Sequence, residues 1–458
     1  MGKRIIALPL ILLLILSGCG GSGGDNAGNI SASPGQDTVS DTGGQVANED
    51  AGGGIGQLEE DNKEEAEVQT DSNEETVILD LEEADEELQF ITDAGFSKSG
   101  KAFMPIPDNA AFRFIGGMNA GYNIGNSFDA ADAGSLVKNE LDYEKVWCGA
   151  GITEGYIDSL KNEGYNLIRI PVSWHDHIDE NYNISPAWLE RVTEVVDYCL
   201  DNDMYVILDV HHDVEKEFFY PDSDHRDNTL AFTEIIWGQI AENFKDRGNK
   251  LMFECINEPR LKGTNVEWWF SYESEQIIDS YNVIMEAEQA FVDTVREAGG
   301  ENANRYLLVC SYCNQYGATL SDNYALPMDT AFNKIIVSVH SYDPYDFAGN
   351  PNGGDTFDDN AKKENERMFE FLYERFVKNG IPVMITEYGC IDKKNPEDRL
   401  AYFNCIRECS DVYSIPAVVW DNNFYNTSGD TVGSSFGLIN RADGAVVYQD
   451  LVDAMTGK

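Results

Sequence analysis

The chain has 458 residues, with 81 acidic against 32 basic side chains and a formal net charge of −49 at pH 7. A surface this negative repels nucleic acid and anionic lipid headgroups, so neither is expected as a partner. It places no such bar on a neutral polymer.

Residues 1–19 read as an export signal: Lys3 and Arg4, an apolar run from Ile5 to Leu16, then small residues. The apolar run is too short to span a bilayer as a helix. It closes in Leu16-Ser17-Gly18-Cys19. That tetrapeptide resembles a bacterial lipobox, which implies lipidation of Cys19 and anchoring of the chain to a membrane on the outer face of the cell; a plain secretory signal with an incidental cysteine, and so a secreted chain, stays open. Residues 20–76 are rich in Gly, Ser, Asn, Asp and Glu, lack aromatics, and cannot bury enough apolar area to offset ordering entropy. They read as a self-repelling tether: residues 20–95 carry 21 acidic side chains against one lysine. Residues 77–96 form an acidic lead-in with scattered leucines.

From 97 to 458 short β-branched runs alternate with helical patterns. Strands are predicted at Gly117–Tyr122, Leu167–Pro171, Tyr205–Val210, Leu251–Ile256, Tyr306–Cys310, Ile335–Val339, Val383–Thr386 and Ala417–Trp420. Helices are predicted at Ser185–Asp201, Ile277–Glu297, Asp359–Asn379 and Pro396–Cys409. Eight strands with intervening helices predict an α/β fold, a single (β/α)8 TIM barrel. A doubly wound sheet would want a glycine-rich phosphate loop after its first strand, and the chain has none of that spacing.

In such a barrel, function sits at the C-terminal strand ends. There the chain places Asn123, Asn126 and Asp129; Arg169; His211-His212-Asp213; Asn257-Glu258; His340-Ser341-Tyr342; Glu387-Tyr388; and Trp420-Asp421-Asn422. Two glutamates facing one cleft suit glycoside hydrolysis, provided their environments differ. Glu258, at a partly apolar strand exit, is the candidate acid/base, its pKa raised by burial. Glu387 is the candidate nucleophile, kept ionised by Arg169, unless that arginine serves only a structural ion pair. Asn257 is placed to donate to a sugar 2-hydroxyl. Trp420 offers a flat face for a pyranose ring, or a core contact.

Seven ordered segments carry a resemblance: Gly121-Tyr122-Asn123-Ile124-Gly125-Asn126-Ser127-Phe128-Asp129, Ile168-Arg169-Ile170-Pro171, Asp209-Val210-His211-His212, Ile256-Asn257-Glu258-Pro259, His340-Ser341-Tyr342, Thr386-Glu387-Tyr388-Gly389 and Trp420-Asp421-Asn422. Over about residues 117–440 the chain resembles glycoside hydrolase family 5, and within it the bacterial endo-β-1,4-glucanases. The resemblance implies a retaining hydrolase with Glu258 as acid/base and Glu387 as nucleophile. It implies that Arg169, His211, Asn257, His340, Tyr342 and Trp420 line the −1 subsite, that Tyr342 bonds the nucleophile, and that His212 and Asn126 bind glucosyl units. Tyr122 and Ile124 stand where the family usually has Trp and Leu; both substitutions keep bulk.

A β-glucan is thus the expected partner, acted on by a monomer that needs no cofactor. Xyloglucan, mixed-linkage glucan and β-mannan remain open as substrates, decided by loops such as 213–228 and 343–357. So does a surface lipoprotein that binds carbohydrate without turnover. Trp268 and Trp269 read either as a plus-side platform or as a helix's buried face. His175-Asp176-His177 and His211-His212-Asp213 look like metal ligands, but a barrel metallohydrolase needs His-x-His after strand 1, where the chain has Asn119-Ala120-Gly121; no catalytic metal is expected. Of the eight cysteines besides Cys19, Cys255 reads as a buried thiol, Cys310-Ser311-Tyr312-Cys313 as a weak redox or metal motif, and pairing of the rest is open.

Overall fold

A computed structural model describes residues 88–92, 95–426 and 435–458. The signal segment with Cys19, the tether and most of the lead-in lie outside the described residues.

Eight parallel strands close into one barrel: β1 (Gly121–Ile124), β2 (Leu167–Ile170), β3 (Tyr205–Asp209), β4 (Leu251–Glu254), β5 (Leu307–Val309), β6 (Ile335–Ser341), β7 (Val383–Tyr388) and β8 (Ala417–Asp421). Each pairs with its neighbour in sequence, and β8 pairs with β1 to close the ring. The predicted (β/α)8 barrel is therefore present. Nearly every strand residue is buried, as a parallel sheet covered by helices requires.

The surrounding helices include Pro186–Asp201, Glu275–Glu297, Asp359–Arg375 and Pro396–Tyr413, close to their expected bounds. Glu154–Asn162 and Arg226–Phe244 complete the layer, beyond the four helices expected from sequence. Asp358 accepts from the amides of Asn360 and Ala361, capping the third of the predicted helices. Gly380, at φ +88°, ends the short turn after it.

Strand 1 departs from expectation. It begins at Gly121, not at residue 117, because a helix precedes it. Asn109 caps Ala110–Ile115 by accepting from the amides of Ala111 and Phe112. Phe114 on this helix stacks on Tyr306 at 3.9 Å and meets Tyr205 edge-on, against the N-terminal ends of β5 and β3. The helix thus covers the barrel floor. Gly121 must be glycine: a Cβ there would lie 2.7 Å from Val418 Cγ2.

Strands β6 and β7 run past their predicted ends, and this extension positions the site. Val339 pairs with Ile385, but His340 pairs with Glu387. Thr386 is the extra residue of a β-bulge, which re-aims the side chains beyond it. The bulge sets Glu387 beside His340 at the rim.

Candidate active site

Arg169, on β2, is fully buried at the barrel's centre. Its Nε donates to Glu254 Oε2 at 2.6 Å, and its Nη2 lies 2.7 Å from Asp209 Oδ2. Its Nη1 donates to Glu387 Oε1 at 2.8 Å and to Asn123 Oδ1 at 3.0 Å. The same Nη2 donates to Asn257 Oδ1 at 2.8 Å. One guanidinium thus holds three carboxylates. Burial opposes its charge, but Glu254, Asp209 and Glu387 raise its pKa above the already high ordinary value. Burial pushes Asp209 up to about 6, with Arg169 pulling against it. Beneath, Ser338 Oγ donates to Glu254 Oε1 at 2.6 Å, and Asn123 Nδ2 donates to Thr386 O at 2.8 Å. The floor of the site is a satisfied polar network, the form in which buried charge is tolerated.

Above this floor stand the two glutamates. One carboxylate oxygen of Glu258, one of Glu387 and a ring nitrogen of His340 lie within 4.8 Å of one another. His340 Nδ1 is 3.1 Å from Glu258 Oε1 and 3.6 Å from Glu387 Oε2. Tyr342 Oη donates to Glu387 Oε2 at 2.9 Å. Glu387 therefore accepts from both Arg169 and Tyr342, while Glu258 rests on His340. Arg260 Nη1 donates to the Glu258 carbonyl at 2.9 Å and lies 3.7 Å from its carboxylate.

The pKa order differs from the one expected from sequence. Burial alone would raise Glu258, but the His340 hydrogen bond and the charges of His340 and Arg260 take it down to about 2. Burial raises Glu387, with His340 and Arg169 opposing it. His340 is itself raised, against burial, by Glu387 and Glu258. His340 and the two glutamates thus titrate as one group, with His340 hydrogen-bonded to Glu258. The strand-exit reading missed this because the bulge that brings His340 between the two carboxylates has no sequence marker.

Further side chains surround this centre. Asp209 Oδ2 holds His211 Nδ1 at 2.8 Å, and burial keeps the His211 imidazole well below its usual pKa. The His211 ring is parallel to the Trp420 indole, 3° between planes with centroids 5.8 Å apart. Trp420 is half-buried against Gly125, where a Cβ would meet the indole at 2.6 Å. His212 tilts against Trp147, and the two help line a cavity of about 180 Å³ with Asp132 and Arg260. Trp268 and Trp269 are exposed on the loop before Glu275–Glu297, and Arg260 lies 4.4 Å over the Trp268 ring. They are not a helix's buried face.

The sequence profile of the cellulase family, glycosyl hydrolase family 5, matches residues 128–426. The chain belongs to glycosyl hydrolase family 5. It is 39% identical to Endoglucanase 1 of Ruminococcus albus over 341 residues, 73% of this chain and 78% of that one. Among solved structures, the family 5 lichenase of Caldicellulosiruptor sp. F32 in complex with cellotetraose is 39% identical at a TM-score of 0.75, covering 78% of this chain and 97% of that one. A broad-specificity endoglucanase of Ruminococcus champanellensis with bound cellotriose is 36% identical at a TM-score of 0.70, covering 77% of this chain and 99% of that one.

The family 5 fold brings Arg169, His211, Asn257, Glu258, His340, Tyr342, Glu387 and Trp420 to one rim, with His212 beside them. Asn126 sits on the loop leaving β1 at φ +58°, its amide held by Asp129. Asp209, Glu254, Arg260 and Trp147 take part without having been assigned a place in the site, and Asn123, expected at the strand end, joins the Arg169 network. Asp209 and Glu254 each end a strand, which is where such partners could have been sought. Asp213 does not join His211 and His212; its carboxylate accepts from the amides of Trp174 and His175 and faces the His175 ring. The eight cysteines of the described residues are free thiols, and Cys310 and Cys313 donate to different carbonyls, those of Ile256 and Glu267.

Proposed function

We propose that this glycoside hydrolase is a retaining endo-β-1,4-glucanase, with Glu387 as nucleophile and Glu258 as acid/base. One observation carries the reading: carboxylate oxygens of the two residues lie within 4.8 Å of each other, with His340 between them. Retaining pairs stand about 5–5.5 Å apart, and inverting pairs about 6.5–9.5 Å, to admit a water.

Glu387, aligned by Arg169 and Tyr342, attacks the anomeric carbon of the −1 sugar. The bond to the leaving oxygen breaks as Glu258 protonates it, using the proton relayed from His340. A glycosyl ester on Glu387 results. Glu258, now a base, takes a proton from water, whose oxygen attacks the same carbon and frees the carboxylate. Each step inverts, so the product keeps the β-configuration. Asn257 accepts from Arg169 through its side-chain oxygen, which leaves its amide NH2 to donate to a sugar 2-hydroxyl. Trp420 stacks the −1 ring, with His211, His212 and Asn126 supplying polar contacts.

Cello-oligosaccharides bound to the related lichenase and to the endoglucanase of Ruminococcus champanellensis support a β-glucan substrate. A second reading, xyloglucan, is favoured by a 33% identical xyloglucan-specific endo-β-1,4-glucanase from a metagenomic library. Reducing-sugar release from carboxymethylcellulose, lichenan, xyloglucan and β-mannan separates these. Proton NMR of the first product reads the anomer; initial α-product would overturn retention. We also propose that the enzyme acts as a monomer held at the outer cell surface through Cys19, as its lipobox-like segment indicates. Loss of palmitate labelling on Cys19→Ala tests the anchor.

A further inference from the structure

Beside the substrate cleft, and apart from the two glutamates, lies a second cluster of ligand-type groups. Asp132 sits on the loop leaving β1. His175 and Asp176 belong to the short helical turn His175–His177 after β2. His175 Nε2 is 3.6 Å from Asp132 Oδ1 and 3.7 Å from Asp176 Oδ2. All three ligand atoms fall within 4.8 Å of one another.

An acidic cluster by itself means little, but the imidazole changes its standing. The His175 side chain is only 6% exposed. Its Nε2 is buried without a hydrogen-bond partner among the described residues. A buried ring nitrogen without a partner is costly unless something takes its place. That nitrogen points at two carboxylates just beyond hydrogen-bond reach. Its other nitrogen, Nδ1, lies 2.9 Å from Asp213 Oδ1. A carboxylate behind a histidine ring fixes its tautomer and leaves Nε2 with a lone pair for a cation.

We propose that His175 Nε2, Asp132 Oδ1 and Asp176 Oδ2 bind a divalent cation of mixed nitrogen–oxygen preference, zinc being the type. A tetrahedral ion with arms of about 2.1 Å spaces its ligand atoms about 3.4 Å apart. The two measured spacings from Nε2 need only a few tenths of an ångström of closure. A nitrogen donor argues against calcium and magnesium, which take oxygen. Two carboxylates balance the ion's charge, and Asp132, 76% exposed, opens the fourth position to water. Asp176 is held in place by accepting from the Asp132 amide at 2.6 Å.

The consequence is mechanical. The cation ties the loop after β1 to the turn after β2. Asp132 and Ala131 line the cavity shared with His212 and Trp147, so the ion stiffens one wall of the outer cleft.

The test is zinc binding to the full mature chain, followed by equilibrium dialysis with metal analysis, thermal unfolding, and anomalous diffraction at the zinc edge. Zinc can also reach the Glu258–His340–Glu387 and Asp129–His211–His212 groups, so location decides. The proposal expects an anomalous peak among His175, Asp132 and Asp176, a rise in Tm with zinc, and one equivalent fewer bound by Asp132→Asn. Asp132 is exposed, so this variant folds, whereas His175→Ala risks the core. Zinc found only at the other groups, or bound equally by Asp132→Asn, overturns it.

Discussion

His340 Nδ1 stands 3.1 Å from Glu258 Oε1, on a strand whose bulge-shifted partner is Glu387. One imidazole therefore addresses both carboxylates. It draws Glu258 down to about 2 and is itself raised by the pair. His340 and the two glutamates thus titrate together rather than singly.

This arrangement sets the pH profile. Glu387, the proposed nucleophile, is raised by burial, so activity should fall on the acid side as its carboxylate is protonated. On the alkaline side activity falls as the proton held by the raised His340 is lost. In His340→Asn that proton loses its high-pKa host, so the alkaline limb of kcat/KM should move to lower pH by about one unit or more. An unmoved limb on soluble β-glucan would remove His340 from the relay.

Glu258→Gln and Glu387→Gln should each lower kcat by about 10³-fold or more without unfolding the chain. Arg169 keeps Glu254 and Asp209 in either variant, so the buried network survives. An aryl glycoside with a good leaving group needs little acid help. It should restore the first step in Glu258→Gln but not in Glu387→Gln, as read by burst kinetics.

Tyr342→Phe removes one of the two donors to Glu387 and leaves the ring packed edge-on to Phe436. The expected loss is about 10- to 100-fold in kcat with little change in Tm. Arg169→Met is a different case, because it strands Glu254 and Asp209 in the core. Leaving buried charge unpaired costs about 3–5 kcal/mol, so urea unfolding should show a large loss of stability.

Gly125→Ala tests the placement of Trp420. The added methyl meets the indole at 2.6 Å and must displace it. Stacking is then lost with both glutamates untouched. We expect KM on cello-oligosaccharides to rise about tenfold, near 1.4 kcal/mol, with Trp420→Ala doing the same.

Glu288 makes a prediction about stability rather than turnover. It is fully buried, and its carboxylate accepts from the Cys310 amide at 2.6 Å and from Tyr324 Oη at 3.1 Å. Burial raises its pKa well above the carboxylate range. A carboxyl raised in the fold contributes stability that is complete below its unfolded pKa and lost as pH rises through the folded one. Glu288→Gln cannot ionise, so its Tm relative to wild type should climb between pH 5 and pH 9. A constant difference would mean that the folded Glu288 is not raised above its unfolded pKa.

Sequence alone determined the architecture and picked out most residues of the proposed site. Eight apolar runs at barrel spacing specified the fold, because a parallel strand buried on both faces must be apolar along its length. Polar groups stood out where those runs ended, and they marked Glu258, Glu387, Arg169 and His211. Tertiary structure alone decided how these groups meet. The start of β1 depended on a capping helix over the barrel floor. The Thr386 bulge set His340 against both glutamates. Glu254 and Asp209 were recognisable as partners only once Arg169 was seen between them. Hydrophobic pattern is local and periodic, so it can be read from a line of letters. Ladder register and a guanidinium shared among three strands join residues far apart in the chain, and only the closed barrel brings them within hydrogen-bond distance.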